Sequence, residues 1–416
     1  RLLRFSQEDG GGASGRPGGS RAGVTGRDAV RERAQSRPGP PCVLHVSRPA
    51  VGGLRKHLET LLPRLTEGGW RVCLAAPAGL TGGGESPLAA YRSFPVEISD
   101  RPGLVEDLRA VLQLRRAVRS SGASLVHCHG IRAAWVARLA AFPQPRVVTV
   151  HNLFRLPGGG LQARLARSAL DAEALIAVSA AVRSSLVEAG IPPERVCIIA
   201  NGIEPPEPVP GEDVSTFRGS LGLEGSRPLV ACVARLMPDK GVDVLIEAWR
   251  LAVPRLPGAA LVIAGDGPDR TALEDAAAAV PRVRFAGHLP DVRPLYAAAD
   301  ILVIPSRREG QSIVCLEAAL SQPPPALVVT SAGGLPEMVR HAESGLVVPP
   351  EDPAALADAI VCLAEDGAMR DRLSRSAAEM ARRRFSAGGM ASATLELYGR
   401  IASGAPGSGK IRSSGL

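Results

Sequence analysis

At 416 residues the chain is too long for one ordinary domain, and two are expected. Hydrophobic residues make up 45%, charged residues 22% and aromatics only 3%, which implies a globular protein with an aliphatic core. No apolar run reaches the ~18 residues of a membrane span, and the opening segment lacks the apolar core of a signal peptide. The net charge of +8 is uneven: residues 1–205 carry 27 Lys+Arg against 16 Asp+Glu, and the remainder 22 against 25. A basic N-terminal half suits an anionic membrane surface or a phosphorylated acceptor. The same charge could meet nucleic acid, a rival reading, but no nucleic-acid partner is expected, because the arginines are scattered and few aromatics lie among them to stack bases. Seven cysteines occur with no Cys-x-x-Cys pair, mostly inside apolar runs, and fit a reducing, cytoplasmic compartment.

Residues 1–41 are rich in Gly, Arg and Pro, without periodicity, and read as disordered. From Cys42 short apolar runs alternate with amphipathic helical stretches. The runs are 42–46, 71–76, 124–129, 146–150, 174–179 and 195–200. Continuous apolar strands separated by helices imply a parallel sheet covered on both faces. The proline-rich 203–215 reads as an interdomain linker with neither helix nor strand. The rhythm then resumes with runs at 228–236, 259–267, 283–288, 301–306, 326–331 and 344–350. The expected organisation is an N-terminal Rossmann-like domain (42–207), a second one (208–385), a terminal helix (386–402) and a flexible tail (403–416). Ligands of open α/β sheets bind beyond the carboxyl ends of the strands, so those ends are where chemistry is expected.

In the N-terminal half "VSRPAVGGLRKH" follows the first strand and places Gly52 and Gly53 ahead of a helix. "SLVHCH" puts His127 and His129 on one face of a strand end. His129 is expected to face the cleft, there to bind substrate or move a proton, with His151 a weaker candidate. His45, inside a strand, reads as a satisfied core histidine. A zinc site is not expected, since spacing supplies no third ligand. In the C-terminal half "RLMPDKG" puts Arg235 and Lys240 in one loop after a strand, where two cations suit a pyrophosphate. "SRREGQSIVCLE" then places Glu309 in a loop and Glu317 inside a helix that starts near Ser312. The amides around Gly310, Gln311, Ser312 and Ile313 would face the same cleft. A carboxylate at Glu317 suits the vicinal diol of a ribose. Gly333 and Gly334 give a further tight turn. No Asp-x-Asp segment occurs, so a divalent metal–nucleotide complex has no carboxylate site and no metal is expected.

Together these segments resemble the retaining glycosyltransferases of family 4, the group 1 transferases, with a GT-B fold. The resemblance covers residues 42–402. It is strongest where "VARLMPDKGVDVLIEA", "LVIAGDGPDRTALE", the stretch holding the Glu-x7-Glu pattern, "SAGGLPEMV" and "SGLVVPPEDPAALADAI" follow in the family's order. It implies that Arg235 and Lys240 bind the donor diphosphate, Glu317 the ribose and Glu309 the transferred sugar. It implies that Gly53 and its loop close over the phosphates and that His129 lies near the sugar or acceptor hydroxyl. Gly333 and Gly334 would shape the nucleotide pocket, and the last helix would return to the N-terminal domain. The implied donor is a nucleoside diphosphate sugar, UDP-linked by default, used without a cofactor and with retention. The acceptor is open, a lipid-linked or saccharide hydroxyl, with peripheral contact to an anionic membrane at its cytoplasmic face. A non-catalytic nucleotide-sugar sensor on the same fold is the alternative. The chain departs from the family pattern at "SQPPPA", expected to lie beside the site and alter donor fit, and at Gln311, where an apolar residue is common.

Overall fold

The computed structural model describes residues 40–49, 52–81, 86–99, 103–155 and 161–404. The expectation of disorder over 1–41 falls, but for its last two residues, outside the described part, as does the tail beyond 404. Thirteen strands among the described residues make two all-parallel sheets. The first contains β1 (Cys42–Ser47), β2 (Arg71–Ala76), β3 (Arg92–Pro95), β4 (Leu125–His129), β5 (Arg146–Val150), β6 (Ala174–Ala177) and β7 (Val196–Ile198). Their order is β3-β2-β1-β4-β5-β6-β7. The second contains β8 (Leu229–Val233), β9 (Ala260–Ala264), β10 (Val283–Gly287), β11 (Ile301–Ile304), β12 (Ala326–Thr330) and β13 (Leu346–Val348), in the order β10-β9-β8-β11-β12-β13. Each sheet reverses its strand order beside its first strand, the switch point at which open α/β sheets bind ligands.

Burial explains why these runs are strands. β4, β9, β11 and β12 are buried at every residue, because helices cover both faces. The Gly53–Glu67 helix shows the complementary pattern: it buries His57, Leu58, Leu61, Leu62 and Leu65, one stripe at helical spacing. β3 was not anticipated. Its four residues, Arg-Ser-Phe-Pro, form an edge strand with no residue fully buried, so no apolar run marks it.

The linker reading of 203–215 also needs correction. Its prolines end at Pro210, and Gly211–Ser220 is a helix with Glu212 and Asp213 in its first turn. Proline is tolerated just before a helix, where its missing N–H removes no hydrogen bond. The Ala387–Ala402 helix packs on the first sheet's side of the molecule. Met390, Ala391, Leu397 and Tyr398 share a core with Leu58, Leu61, Leu65 and Ile176. The Tyr398 hydroxyl lies 2.5 Å from His127 Nδ1, and Tyr398 meets Trp70 edge-on. No helix among the described residues is long and apolar enough to cross a membrane.

Candidate active site

Two loops at the carboxyl ends of β8 and β11 are locked together before any ligand is considered. The Arg307 amide donates to the Asp239 carbonyl. The Arg307 guanidinium holds Asp243 through two nitrogens, at 2.8 and 2.7 Å, and reaches Glu351 at 2.8 Å. The hydrogen bonds from Arg307 hold the Asp243 carboxyl below its usual range. Gly241 lies between the loops with φ of +65°, and a Cβ there would collide with the Pro305 carbonyl oxygen. Only glycine allows both that conformation and that approach.

This frame positions Lys240 and Glu309. Lys240 Nζ donates to Glu309 Oε2 at 2.7 Å, and Ser306 Oγ donates to the same oxygen at 3.3 Å. Oε1 of Glu309 has no hydrogen-bond partner among the described residues. The Lys240 side chain keeps 27% of its surface exposed against 9% for Glu309, so the ammonium can still meet an incoming anion. Arg235 is exposed and makes no hydrogen bond or ion pair among the described residues. It stands five residues from Lys240 as an uncommitted cation.

The helix after β11 spans Ile313–Leu320, capped by Ser312, whose Oγ accepts from the Cys315 amide at 3.3 Å. The amides of Gly310, Gln311 and Ser312 donate no hydrogen bond among the described residues. They form an N-terminal donor cluster suited to an anion. Glu317 lies further along, accepting a hydrogen bond from the Tyr296 hydroxyl at 3.1 Å. Burial pushes the Glu317 carboxyl up, opposed first by the Lys56 ammonium of the Gly53–Glu67 helix. That cation comes from the other half of the chain and was not singled out in the sequence. Its neighbour Gly53 faces Ile313 closely, while Gly52 sits at the start of the helix with φ of +56°.

The glycines do more than admit a ligand. A Cβ on Gly310 would strike the His151 carbonyl oxygen, one on Gly333 the Glu309 carbonyl oxygen, and one on Gly334 the Gly310 carbonyl oxygen. Gly333 and Gly334 set the turn after β12 on the Glu309–Gly310 loop, and Gly310 sets that loop against the N-terminal half. Two further contacts cross the same boundary. The Gln311 side chain accepts from the Asn201 amide at 2.6 Å and donates to its carbonyl at 3.3 Å. Glu337 accepts from the amides of Ala180 and Ala181 at 2.9 and 3.0 Å, capping the Ala180–Glu188 helix. The polar Gln311 is thereby explained as a tether whose side chain is committed to Asn201.

Histidines form the other wall. His129 is fully buried rather than open to the cleft, and the half-buried imidazole is His151. His45 Nδ1 lies 2.9 Å from His129 Nε2, and His129 Nδ1 lies 3.4 Å from His151 Nε2. His127 is held by Tyr398 and, at 2.7 Å, by Thr149 Oγ1. His57 completes the group, its ring 4.8 Å from that of His151. Neither His57 nitrogen is in hydrogen-bond geometry with a partner, although Asn201 is a polar neighbour. His45 is only half satisfied, for its Nε2 is unpartnered. Burial lowers all five, His45 to about 3 and His57 to about 4, so they are neutral at pH 7. The third ligand missing from sequence spacing is present in space: His45–His127–His129 and His57–His129–His151 each bring ring nitrogens within 4.8 Å. Zinc bonded at about 2.0–2.1 Å needs nitrogens roughly 3.4 Å apart. The shared His129 is already engaged at both nitrogens, so the observed geometry is that of a hydrogen-bonded imidazole chain.

The "SQPPPA" segment lies elsewhere than expected. It follows Leu320, at the end of the helix remote from Ser312, and leads into the start of β12. Lys240 and Glu309 sit at the opposite, carboxyl ends of the strands, so this loop does not border them.

Cations, free helix-start amides and two carboxylates gathered at strand ends are groups chemically suited to a phosphorylated, hydroxyl-rich ligand. Residues 227–366 match the family model described as glycosyl transferases group 1, and residues 51–206 match that of glycosyltransferase family 4. The chain is 31% identical over 318 residues to an alpha-maltose-1-phosphate synthase of Mycolicibacterium smegmatis, covering 68% of this chain and 80% of the relative. It is 33% identical over 215 residues to an uncharacterised glycosyltransferase of Methanocaldococcus jannaschii, covering 50% of this chain and 54% of that one. It is 34% identical over 203 residues to a D-inositol 3-phosphate glycosyltransferase of Corynebacterium glutamicum, covering 46% and 48%. The chain thus spans about half the length of the latter two. Among solved structures, Anabaena HepE in complex with UDP and glucose superposes with a TM-score of 0.75 at 23% identity, covering 86% of this chain and 99% of HepE. WaaG gives a TM-score of 0.67 at 18% identity, covering 87% and 100%. The fold is GT-B, and the chain belongs to the group 1 glycosyltransferases of family 4.

Proposed function

We propose that the protein transfers a sugar from a nucleoside diphosphate to an acceptor hydroxyl with retention of configuration. The observation that carries this reading is the Lys240–Glu309 pair beside the free amides of Gly310, Gln311 and Ser312, with Glu317 in the helix they open. In this reading Lys240 and Arg235 bind the diphosphate, helped by those amides and by the loop of Gly52 and Gly53. Glu317 accepts from the ribose hydroxyls. Glu309 Oε1 accepts from a hydroxyl of the transferred sugar. As the glycosidic bond breaks, charge grows on the leaving phosphate, and a fixed cation stabilises that state more than the ground state. The cations supply the charge a metal would bring, and the sequence holds no Asp-x-Asp segment, so metal independence is part of the proposal. HepE is described with UDP and glucose, which makes UDP the first nucleotide to test.

His129 serves as a positioning residue: buried, it orients His151, whose ring is the nearer to the cleft. The acceptor is a lipid-linked or saccharide hydroxyl. The test is slow hydrolysis of UDP-sugars by the pure protein, with Lys240→Ala alongside. Wild-type release of UDP that falls about a hundredfold in the variant supports the reading. An unchanged rate refutes the phosphate role, and nucleotide binding without any turnover favours the sensor alternative.

A further inference from the structure

The start of the Gly53–Glu67 helix meets the start of the Ile313–Leu320 helix, one from each half of the chain. A Cβ on Gly53 would lie 3.3 Å from Ile313 Cγ1. Lys56 stands one turn further into the first helix and Glu317 one turn further into the second, each beside the residue that makes the contact. Lys56 is exposed, and its ammonium makes no hydrogen bond or ion pair among the described residues. It ties no part of the fold together, yet it brings a positive charge to a half-buried carboxylate.

Glu317 has need of that charge. The Tyr296 hydroxyl donates to Oε2 at 3.1 Å, and Oε1 has no hydrogen-bond partner among the described residues. Burial and the like charge of Asp291 disfavour the ionised carboxyl; Lys56 first, and Tyr296 after it, favour it. Asp291 is itself paired, for Arg293 donates to its two oxygens at 2.9, 3.0 and 2.8 Å. Of the two carboxylates that feel the Lys56 charge, Glu317 is therefore the one without a partner cation.

We propose that Lys56 is a positioning residue of the ribose site, the counter-charge that the N-terminal half supplies to Glu317. The proposal rests on the transferase reading, in which Glu317 accepts from the ribose hydroxyls. An ionised carboxylate offers two acceptor oxygens to a vicinal diol, whereas a protonated one turns one of them into a donor. An ammonium that acts without a salt bridge leaves both oxygens open to the ligand. Ribose capture then depends on both halves of the chain, although the carboxylate belongs to one. The sign follows from burial. Without Lys56 the carboxyl is pushed further up, so protonation opposes ribose binding at a higher pH than in wild type.

The experiment is titration calorimetry of the full chain with UDP, GDP and ADP, and with the 2′,3′-dideoxy form of whichever binds best, at pH 8 and pH 6. Lys56→Met and Lys56→Arg are run beside wild type, with melting temperature recorded at each pH. The side chain is exposed, so both variants fold. Lys56→Met binds nearly as well as wild type at pH 8 and about fivefold or more weakly at pH 6, while Lys56→Arg follows wild type. The phosphates titrate alike in every protein, so they cancel from this difference. The dideoxy nucleotide, which offers Glu317 no hydroxyl, binds wild type and Lys56→Met alike at each pH. Parallel pH profiles for wild type and Lys56→Met overturn the proposal and leave the transferase reading standing. A penalty just as large with the dideoxy nucleotide also overturns it, by moving Lys56 to the phosphates. Wild type that binds none of the nucleotides removes the transferase reading and the proposal together.

Discussion

Four buried imidazoles and the half-buried His151, all neutral, make the fold acid-labile in a window set by histidine rather than by carboxylates. His45, His57, His127, His129 and His151 are all lowered, first by burial, and the charges acting on them are one another and Arg48. The sign follows directly. In the unfolded chain each titrates near 6.5, while in the fold each stays neutral, so the unfolded state binds more protons below that pH. Stability is complete above about pH 6.5 and is lost as pH falls toward 4. At pH 5.5 each unfolded imidazole gains about 1.4 kcal/mol by protonation, or about 3 kcal/mol for His45 and His57, whose folded values lie near 3 and 4. The other three shift in the same direction and add to a loss that is already a large part of an ordinary domain's stability. Urea denaturation between pH 8 and 5 measures it. His57→Phe removes one titrating group and two buried unpartnered nitrogens. The variant should lose about 1.4 kcal/mol less than wild type between pH 7.5 and 5.5. Unfolding free energies that are level over that range, or a variant that loses as much as wild type, would refute the reasoning.

Three other outcomes follow from contacts of the loops at the carboxyl ends of the second sheet. Glu337→Gln keeps the shape but removes the charge that caps Ala180 and Ala181, and should lower stability by about 0.5–2 kcal/mol in the same urea assay. Gln311→Leu leaves the Asn201 amide without its acceptor and should cost about 1–3 kcal/mol, read as a fall in melting temperature. Gly333→Ala adds a methyl group against the Glu309 carbonyl at a φ of +54°. It should depress donor turnover well beyond its effect on melting temperature, seen by comparing UDP-sugar hydrolysis with thermal unfolding.

Most of the fold was legible because buried parallel strands are written as unbroken apolar runs, as in "ILVI" and "ALVVT". β3 was not, since an exposed edge strand of Arg-Ser-Phe-Pro has no such signature. The pairing of Lys240 with Glu309 lay within reach of the sequence because both residues follow strands directly. His57 could not: on its helix it occupies a core position beside Leu58, and periodicity alone assigns it to packing. Its meaning depends on β1, β4 and β5 being neighbours, which sets His45 opposite His127 and brings His129 beside Thr149. The roles of Glu337 and Gln311 were hidden for the same reason. Both reach across a boundary between two sheets, and no local pattern encodes that approach.

The central claim is that Glu317 and Lys240 hold a nucleoside diphosphate at the carboxyl ends of the second sheet. Titration calorimetry with UDP on wild type, Glu317→Ala and Lys240→Ala tests it most directly. The account predicts binding by wild type that weakens about tenfold or more in each variant, with melting temperatures little changed. Equal affinity in all three proteins would contradict it.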